Sequence, residues 1–383
     1  MEKKLSIVYA HNQRLMVGRA HDVMIMKTCH AIASGGHTVR IITGRFAKKE
    51  DIFRYYGLRE ISNLKIIQVP MLRGRHFSWH GLFNLFCFLK ILDLKKKGLA
   101  DIIYLREVKL ARFLLRFRKL MRVPCVIEVH DLKIKKFYGS RPERDKNEEY
   151  VFNRVEGIAI LLNTFGNVLR DTYDLRNIPL VKIPLAAEKT SVTPQPSGGR
   201  MVGYIGQLYP MQGIDILMEA MTYLPDASLS IIGGGEKELS RLKKLAADKG
   251  IAERVIFHGF VQPDLVPEKA RDMDVMVICA LNRGKRRYSA HTKLYEYLAM
   301  GKPIVAVDLP SVTEEVTNDI NVVIARPEDP RDLAEKIALV LNNHELSKSL
   351  AASAYKLADE FTWEKRAKKI SDLFQNVCEN YQN

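Results

Sequence analysis

Cysteine is scarce in this sequence, and its distribution excludes several kinds of site. The 383 residues include five cysteines, an odd number, and no two of them form a Cys-x-x-Cys pair. They are scattered along the chain at Cys29, Cys87, Cys125, Cys279 and Cys378. A disulfide framework or a cysteine-bound zinc ion needs paired cysteines at short spacing. We therefore expect a protein of a reducing, cytoplasmic compartment without disulfide bonds.

The sequence also lacks apolar segments long enough to cross a membrane. The first residues, MEKKLSIVYAHNQ, contain neither the long apolar region nor the cleavage site of a signal peptide. The longest relevant run, FSWHGLFNLFCFL at 77–89, is shorter than the roughly 20 residues that a spanning helix needs. These features predict a cytoplasmic protein.

The sequence contains fewer acidic residues than basic residues. Asp and Glu number 44 against 60 Lys and Arg, which gives a net charge of +16. A balance this basic predicts an anionic partner, such as nucleic acid, an acidic membrane surface or a phosphorylated substrate. A chain of 383 residues is longer than a typical domain with a single hydrophobic core, so its length favours two domains.

Short apolar strands and amphipathic helices alternate along most of the chain. The pattern starts with a strand at 5–10, a helix at 23–33 and a strand at 37–43, and it continues to about residue 183. The segment 189–200 (KTSVTPQPSGGR) interrupts it with proline, glycine and small polar residues, which indicates a linker. The alternation then restarts with a strand at 201–205. The sequence therefore predicts two consecutive α/β domains, whose ligands bind at the carboxyl ends of the strands.

One stretch of the second half, 289–307 (SAHTKLYEYLAMGKPIVAV), has the features of an anion-binding helix. The pattern predicts a helix that begins near Thr292, capped by its hydroxyl, and ends at Gly301, before a buried strand. The first turn of a helix binds anions, and Lys293 adds a full charge. Glu296, one turn later, is suited to accept hydrogen bonds from ribose hydroxyls. The alternative is a capped surface helix with no ligand.

Several segments resemble a known enzyme family in the same order along the chain. They are VIEVHDL (126–132), VGYIGQLYPMQGIDILMEAM (202–221), LSIIGGGEKEL (229–239), VIFHGFV (255–261), TKLYEYLAMGKPIVA (292–306) and the tail from Thr362. They resemble the retaining glycosyltransferases of family 4. The resemblance implies the GT-B fold, in which two Rossmann-like α/β domains face a central cleft. It implies an acceptor domain at 1–188, completed by a C-terminal helix at about 364–383, and a donor domain at 200–363.

The resemblance also implies an activity. A glycosyltransferase of the hexosyltransferase type would move a sugar from a nucleotide-diphosphate sugar to a hydroxyl of a saccharide or lipid-linked glycan of the cell envelope, with retention of configuration. The donor would be a UDP-sugar, with a GDP-sugar as the alternative. We expect neither a cofactor nor a metal, because no Asp-x-Asp pair is placed for a divalent ion. Two other functions stay open: a catalytically weakened GT-B partner subunit, and a nucleotide-sugar epimerase.

The resemblance assigns donor-site roles, and two positions depart from the family pattern. Glu296 matches the second acid of the family's glutamate pair, whereas Tyr288 stands where the first acid is expected. The basic residues that grip the diphosphate fall on Gln207 and Gln212. Basic residues precede the helix at Arg283, Lys285, Arg286 and Arg287, and we expect Lys293 together with one of these arginines to replace them. The alternative is a solvated basic loop.

The implied site residues are two catalytic groups and a larger donor-binding set. The catalytic groups are His130, at a strand end facing the donor sugar, and Lys293. The donor-binding residues are Gly18, Gln207, Gln212, Gly213, His258, Phe260, Tyr288, Ser289, Thr292, Leu294 and Glu296. A histidine at a strand end is alternatively a capping residue.

The positive charge is concentrated at 90–122, where eleven Lys and Arg accompany three Asp and Glu. The aromatic run at 77–89 lies just upstream. Basic residues beside exposed aromatics are typical of proteins that lie on anionic lipid. We therefore expect residues 77–122 to contact an anionic membrane surface on its cytoplasmic face. The alternative is a buried helix beside a solvated face. No nucleic-acid-binding motif accompanies these charges.

Overall fold

The computed structural model describes residues 3–16, 20–46, 51–71, 73–74, 77–78, 80–131, 144–175, 177–190, 198–262 and 265–382. The chain divides into two compact units. The first unit comprises Met1–Pro184 and Trp363–Asn383, and the second comprises Leu185–Thr362. The second unit thus begins before the predicted linker at 189–200, of which residues 191–197 lie outside the described part.

The first unit contains a parallel sheet of seven strands. Its strands are β1 (Ser6–Arg14), β2 (Thr38–Gly44), β3 (Leu64–Val69), β6 (Ile102–Leu105), β7 (Cys125–Val129), β8 (Gly157–Ile160) and β9 (Leu180–Lys182). The spatial order is β3-β2-β1-β6-β7-β8-β9, so the order reverses between β1 and β6. Two short antiparallel strands, β4 (Arg73–Gly74) and β5 (Phe77–Ser78), pair with each other.

The described residues before 184 form seven α-helices in chain order. They are α1 (Ala20–Ser34), α2 (Ile52–Tyr55), α3 (His80–Lys96), α4 (Val108–Leu115), α5 (Arg118–Met121), α6 (Lys146–Phe152) and α7 (Asn163–Thr172). The first strand is longer than the predicted 5–10, because an irregularity after Ala10 lets it continue its pairing with β2 as far as Arg14. This extension includes His11.

The second unit contains a parallel sheet of six strands. The strands are β10 (Met201–Ile205), β11 (Ser228–Ile232), β12 (Val255–Gly259), β13 (Val275–Ile278), β14 (Ile304–Val307) and β15 (Val323–Ala325). The helices are α8 (Ile214–Ala220), α9 (Glu236–Asp248), α10 (Val266–Lys269), α11 (Thr292–Met300), α12 (Pro310–Thr313), α13 (Pro330–Asn342) and α14 (His344–Leu357). The spatial order β12-β11-β10-β13-β14-β15 reverses between β10 and β13. The predicted pair of Rossmann-like α/β domains is confirmed.

The last helix, α15 (Trp363–Gln382), packs on the first unit. Its apolar stripe includes Ile370, Leu373, Phe374 and Val377, which all belong to the buried core of that unit. Burial of a large apolar side chain contributes about 1.5–3 kcal/mol, so this stripe alone is enough to fix the helix. The tail therefore completes the first unit, although about 180 residues of the second unit precede it.

Candidate functional site

Helix α11 follows β13 and carries three of the predicted donor-binding residues, Thr292, Leu294 and Glu296, together with Lys293. It begins at Thr292 as predicted, but the predicted cap is wrong. The N-cap residue is His291, in extended conformation, and it makes no side-chain capping bond, so Thr292 is the first helical residue. The helix ends at Gly301 with φ +60°, the left-handed conformation that favours glycine. The buried strand β14 follows as predicted.

Lys293 is 8% exposed and is held inside the second unit by two neutral oxygen atoms. Its ammonium nitrogen donates to the Tyr204 hydroxyl at 2.8 Å and to the Gln212 side-chain oxygen at 2.6 Å. The nitrogen also lies 4.5 Å from the centroid of the Tyr204 ring, within cation–π range. These contacts bring together the charge on α11, the end of β10 and the loop that follows β10.

This cluster occupies the point where the strand order of the second sheet reverses. Tyr204 lies on β10, and the loop carrying Gln212 follows that strand, whereas Lys293 belongs to the first helix turn after β13. Strands β10 and β13 are neighbours in the sheet. In open α/β sheets, ligands bind outside the carboxyl ends of the strands at such a switch point. The cluster therefore lies where the fold provides a ligand site.

The loop after β10 needs glycine at one position above all. Gly213 has φ +71°, and a Cβ atom there would lie 1.7 Å from the carbonyl oxygen of Cys279. Only a glycine therefore allows the loop to approach the end of β13 this closely. A short 3₁₀ turn, Pro210–Gln212, precedes it and sets the position of Gln212. The predicted residue Gly213 thus positions the loop through its backbone.

The two glutamines of this loop differ in their environment. Gln207 has an exposed side chain, and its backbone carbonyl accepts a hydrogen bond of 2.7 Å from the Tyr204 hydroxyl. Gln212 is half-buried, and its side chain accepts from Lys293. The structure therefore brings Gln212 and Lys293 together and leaves the Gln207 side chain at the surface.

The remaining residues predicted on and before α11 fall into two groups. Thr292, Glu296, Tyr288 and Ser289 are half-buried near the start of the helix. Leu294 is fully buried in the core, and its backbone N–H donates to the His291 carbonyl. Its side chain therefore serves packing.

Among the basic residues before α11, Arg283 has an acidic partner in the second unit. Its guanidinium donates through Nε to both carboxylate oxygens of Glu328, at 2.9 and 3.0 Å. The Arg287 guanidinium lies 5.9 Å from the Tyr288 ring centroid. The side chains of Lys285 and Arg286 lie outside the described residues.

Two predicted residues lie at the end of β12. The ring nitrogen Nε2 of His258 lies 3.0 Å from the Ser230 hydroxyl. Burial, and secondarily the charge of Lys269, lowers the pKa of His258 below its usual range. Phe260 is 72% exposed. A large aromatic ring at this exposure is available for stacking on a planar ligand. Gly18 lies outside the described residues.

His130 belongs to the first unit, where it joins a buried network just after β7. Its Nε2 atom lies 2.7 Å from Oε1 of Glu128, which also accepts a 2.5 Å bond from Arg366 on α15. Tyr104 donates to the other oxygen of Glu128. Arg366 and Tyr104 therefore each donate a hydrogen bond to the Glu128 carboxylate. Burial of His130, together with the nearby charge of Arg106, lowers the pKa of His130 to about 4. The imidazole is neutral at neutral pH.

Tyr204, Glu128 and Arg366 are residues that the sequence analysis missed. One signal was present for Glu128, because it stands two residues before His130 along a strand and so shares its face. The partners of Tyr204 and Arg366 lie far away in sequence, at separations of 89 and 238 residues. No local pattern reveals such contacts.

Two parallel sheets, each with a crossover that reverses the strand order, define the class of protein as a two-domain Rossmann-like α/β protein. Residues 187–357 match the family model described as "Glycosyl transferases group 1". The matched segment covers most of the second unit, Leu185–Thr362.

Curated relatives are named as glycosyltransferases. An uncharacterized glycosyltransferase of Methanocaldococcus jannaschii is 22% identical over 379 residues, which cover 92% of this chain and 94% of that protein. The chain spans about half the length of the first two relatives that it matches, 48% and 46%. Both carry glycosyltransferase names.

Solved structures of similar fold are glycosyltransferases of the GT-B class. Sucrose-phosphate synthase from Thermosynechococcus elongatus has a TM-score of 0.77 at 15% identity, with 98% of this chain and 100% of that chain covered. HepE from Anabaena, in complex with UDP and glucose, has a TM-score of 0.70 at 16% identity, with coverages of 96% and 98%. The GT-B fold predicted from sequence is confirmed.

Proposed function

We propose that the protein is a retaining glycosyltransferase that moves a sugar from a UDP-sugar to a hydroxyl of a saccharide or lipid-linked glycan. The observation that carries this proposal is the Lys293–Tyr204–Gln212 cluster at the switch point of the second sheet. It lies inside the segment that matches the glycosyltransferase family model. Structures of similar fold include one with bound UDP and glucose, which supports UDP as the nucleotide.

The cluster suggests how the departing nucleoside diphosphate is stabilised. Charge grows on the leaving phosphate as the sugar–oxygen bond breaks, and a fixed positive group lowers the energy of that state. Lys293 is held in the first turn of α11, where helix N–H groups also favour an anion. Two of its hydrogen bonds go to uncharged oxygens, the Tyr204 hydroxyl and the Gln212 side-chain oxygen, and these bonds orient the ammonium group. We propose that this arrangement replaces a metal ion at the diphosphate.

Other residues of the second unit have proposed donor contacts. Glu296, one helical turn after Lys293 and half-buried, would accept from the ribose hydroxyls. The exposed Phe260 ring would contact the base. Tyr288 and Ser289 would line the sugar position. The role proposed for His130 is contact with the donor sugar as a neutral hydrogen-bonding group.

The proposal is tested by incubating the purified protein with a panel of UDP- and GDP-sugars, with and without saccharide acceptors. We expect nucleotide release from a UDP-sugar and a product whose anomeric configuration, read by NMR, equals that of the donor. An inverted product would contradict retention. Sugar interconversion without transfer would indicate an epimerase, and absence of nucleotide binding would indicate a partner subunit.

The acceptor side of the proposal rests on the surface of α3, α4 and α5. No helix of the described residues is long and apolar enough to cross a membrane. Four large apolar side chains are nevertheless exposed on α3, on α5 and in the two-residue link between α4 and α5: Leu85 (45%), Leu89 (50%), Phe117 (38%) and Leu120 (63%). The Phe117 ring stacks at 4.7 Å on Phe88 of α3, which places these helices side by side.

Exposed basic residues accompany these apolar side chains. They are Lys95, Lys96, Lys109, Arg116, Lys119 and Arg122. Apolar groups flanked by lysine and arginine bind anionic lipid by burial and by charge attraction together. We propose that this surface docks the protein on the cytoplasmic face of a membrane, close to a lipid-linked acceptor. The predicted contributions of Phe77 and Trp79 lie outside the described side chains.

Flotation with vesicles tests the docking. We expect the protein to float with vesicles that contain anionic lipid and to remain below with neutral ones. The double change Leu85→Ser and Leu89→Ser should abolish flotation, whereas Leu339→Ser, at an equally exposed leucine of the second unit, should not. Equal flotation of both variants would contradict the docking surface.

A further inference from the structure

Two histidines and an aspartate of the first unit converge at the carboxyl end of β1. His11 lies on β1, and His21 and Asp22 lie in the first turn of α1. Nε2 of His21 is 3.0 Å and Nε2 of His11 is 3.9 Å from Oδ1 of Asp22. One ligand atom from each of the three residues lies within 4.8 Å of the others. Neither the Lys293 cluster nor the His130 network includes these side chains.

The polar atoms of this cluster are buried and unsatisfied. His11 and Asp22 are 0% exposed. Nε2 of both histidines and both oxygens of Asp22 lack a hydrogen-bond partner among the described residues. The approach of His21 to Asp22 is close enough for a hydrogen bond but lacks its alignment. A buried carboxylate without hydrogen-bond donors is strongly destabilising, so a cation bound at this position would stabilise the arrangement.

A fourth residue fixes the orientation of His11. Nδ1 of His11 lies 2.7 Å from Oε1 of Glu107. Glu107 occupies the N-cap position of α4 but makes no capping bond with its side chain, which is directed to His11. The Nδ1–H of His11 donates to this carboxylate, so the lone pair of Nε2 is directed toward Asp22 and His21. A carboxylate behind a histidine is the usual outer support of a metal-ligating imidazole.

The position of the cluster in the sheet also suits a ligand. His11 follows Ala10, the last residue of β1 in regular register with both neighbouring strands, and Glu107 lies two residues after the end of β6. Strands β1 and β6 are the pair at which the strand order of the first sheet reverses. Ligands of open α/β sheets bind at this location.

The donor set identifies the class of ion. Two imidazole nitrogens exclude Mg²⁺ and Ca²⁺, which prefer all-oxygen sites, and fit a first-row transition metal. Bonds of about 2.0–2.1 Å in a tetrahedral Zn²⁺ site separate the ligand atoms by about 3.4 Å. The two separations from Asp22, 3.0 and 3.9 Å, differ from this value by about half an ångström, and the separation of the two histidine ligand atoms is within 4.8 Å.

We propose that His11, His21 and Asp22 form a Zn²⁺ site supported by Glu107, with a fourth position for water or another oxygen ligand. The ion ties β1 to α1 and, through Glu107, to the start of α4. This proposal does not depend on the glycosyltransferase activity.

Metal analysis of the untagged, full-length protein tests the site. After incubation with Zn²⁺ and gel filtration, we expect one zinc ion per chain, measured by mass spectrometry of the metal. Titration calorimetry should show that Asp22→Asn and His21→Gln lose the site, and that Glu107→Gln weakens it about 10- to 100-fold, as outer-shell changes do. His30→Gln is the matched control, because His30 is on α1 but contacts the Arg59 carbonyl instead.

Two further readouts separate a built site from adventitious binding. Zn²⁺ should raise the melting temperature of the unmodified protein and of His30→Gln but not that of Asp22→Asn. Without metal, Asp22→Asn should be at least as stable as the unmodified protein, because it removes an uncompensated buried charge. Equal zinc affinity in Asp22→Asn and the unmodified protein would overturn the proposal, and so would substoichiometric zinc in the latter.

Discussion

The ammonium nitrogen of Lys293 lies 2.6 Å from the side-chain oxygen of Gln212, although the two residues are 81 positions apart. The family resemblance places a basic residue at position 212, and this chain has an amide there. The structure gives the amide a role: it holds the one lysine of the α11 first turn in place. A second cation at position 212 would repel Lys293 at this distance.

Replacing this amide with a carboxylate should impair nucleotide binding. Gln212→Glu keeps the shape of the side chain, pairs with Lys293 and repels a diphosphate. We expect the affinity for UDP, measured by calorimetry, to fall about tenfold or more, which corresponds to about 1.4 kcal/mol. Gln207→Glu adds the same charge to the same loop away from Lys293 and should have a smaller effect. An unchanged UDP affinity in Gln212→Glu would argue against diphosphate binding at this cluster.

Glu296→Ala tests the proposed ribose contact. The unmodified protein should bind UDP more tightly than an analogue that lacks both ribose hydroxyls, because the analogue cannot donate hydrogen bonds to the half-buried Glu296 carboxylate. The variant should bind both about equally, with its fold intact. Glu335→Ala, at an exposed glutamate of α13, is the control. Normal discrimination between the two ligands in Glu296→Ala would show that the ribose assignment is wrong.

Arg366 should be essential for the stability of the first unit. It is 3% exposed and donates to Glu128 and to the carbonyls of Ile183 and Pro184. Arg366→Leu leaves the Glu128 charge buried without its partner, and such changes cost about 3–5 kcal/mol. The exposed Lys369→Leu on the same helix should cost little, and adding Glu128→Gln to Arg366→Leu should recover part of the loss.

Urea unfolding followed by tryptophan fluorescence measures this effect in the first unit alone. The chain has two tryptophans, Trp79 and Trp363, and both belong to the first unit. If Arg366→Leu and Lys369→Leu unfold at the same urea concentration, the network around Glu128 contributes nothing measurable.

The depressed pKa of His130 predicts a loss of stability in mild acid. Burial and the charge of Arg106 lower this pKa from the usual 6.5 to about 4, despite the opposing effect of Glu128. Between these two pH values the unfolded chain binds a proton at His130 and the folded chain does not. The free energy of unfolding therefore keeps its full value above pH 6.5, and protonation of His130 in the unfolded chain lowers it toward pH 4 by at most about 3 kcal/mol.

The same tryptophan-monitored unfolding, repeated across this pH range, isolates the contribution of His130. His130→Gln should flatten the decline, since a glutamine can still donate to Glu128 but does not titrate. His344→Gln, at an exposed histidine of the second unit, should leave the decline as it is. A decline of the same steepness in His130→Gln would assign the acid sensitivity to other groups.

The fold and the segment around α11 could be predicted from the sequence because both depend on local signals. Gly301 ends α11 where a glycine is expected, and the apolar run after it becomes β14. The cap at Thr292 was wrong, because the chain enters the helix one residue earlier, at His291. Capping depends on backbone angles that composition does not determine.

Contacts between distant segments account for most of what the sequence does not reveal. Arg366 meets Glu128 across 238 residues, and His11 meets Glu107 across 96. The expectation of no metal rested on the absence of a suitably placed Asp-x-Asp pair, and His11 and His21, ten residues apart, do not have the spacing of a metal motif. The pairing of β1 with β6 brings His11 close to Glu107.

The central claim is that Lys293 binds the diphosphate of a UDP-sugar, and calorimetric titration with UDP and with uridine tests it most directly. The unmodified protein should bind UDP much more tightly than uridine. Lys293→Met should lose most of that difference, while Lys243→Met, at an exposed lysine of α9, should keep it. If Lys293→Met retains the full preference for UDP, or if the unmodified protein binds UDP no better than uridine, the account is contradicted.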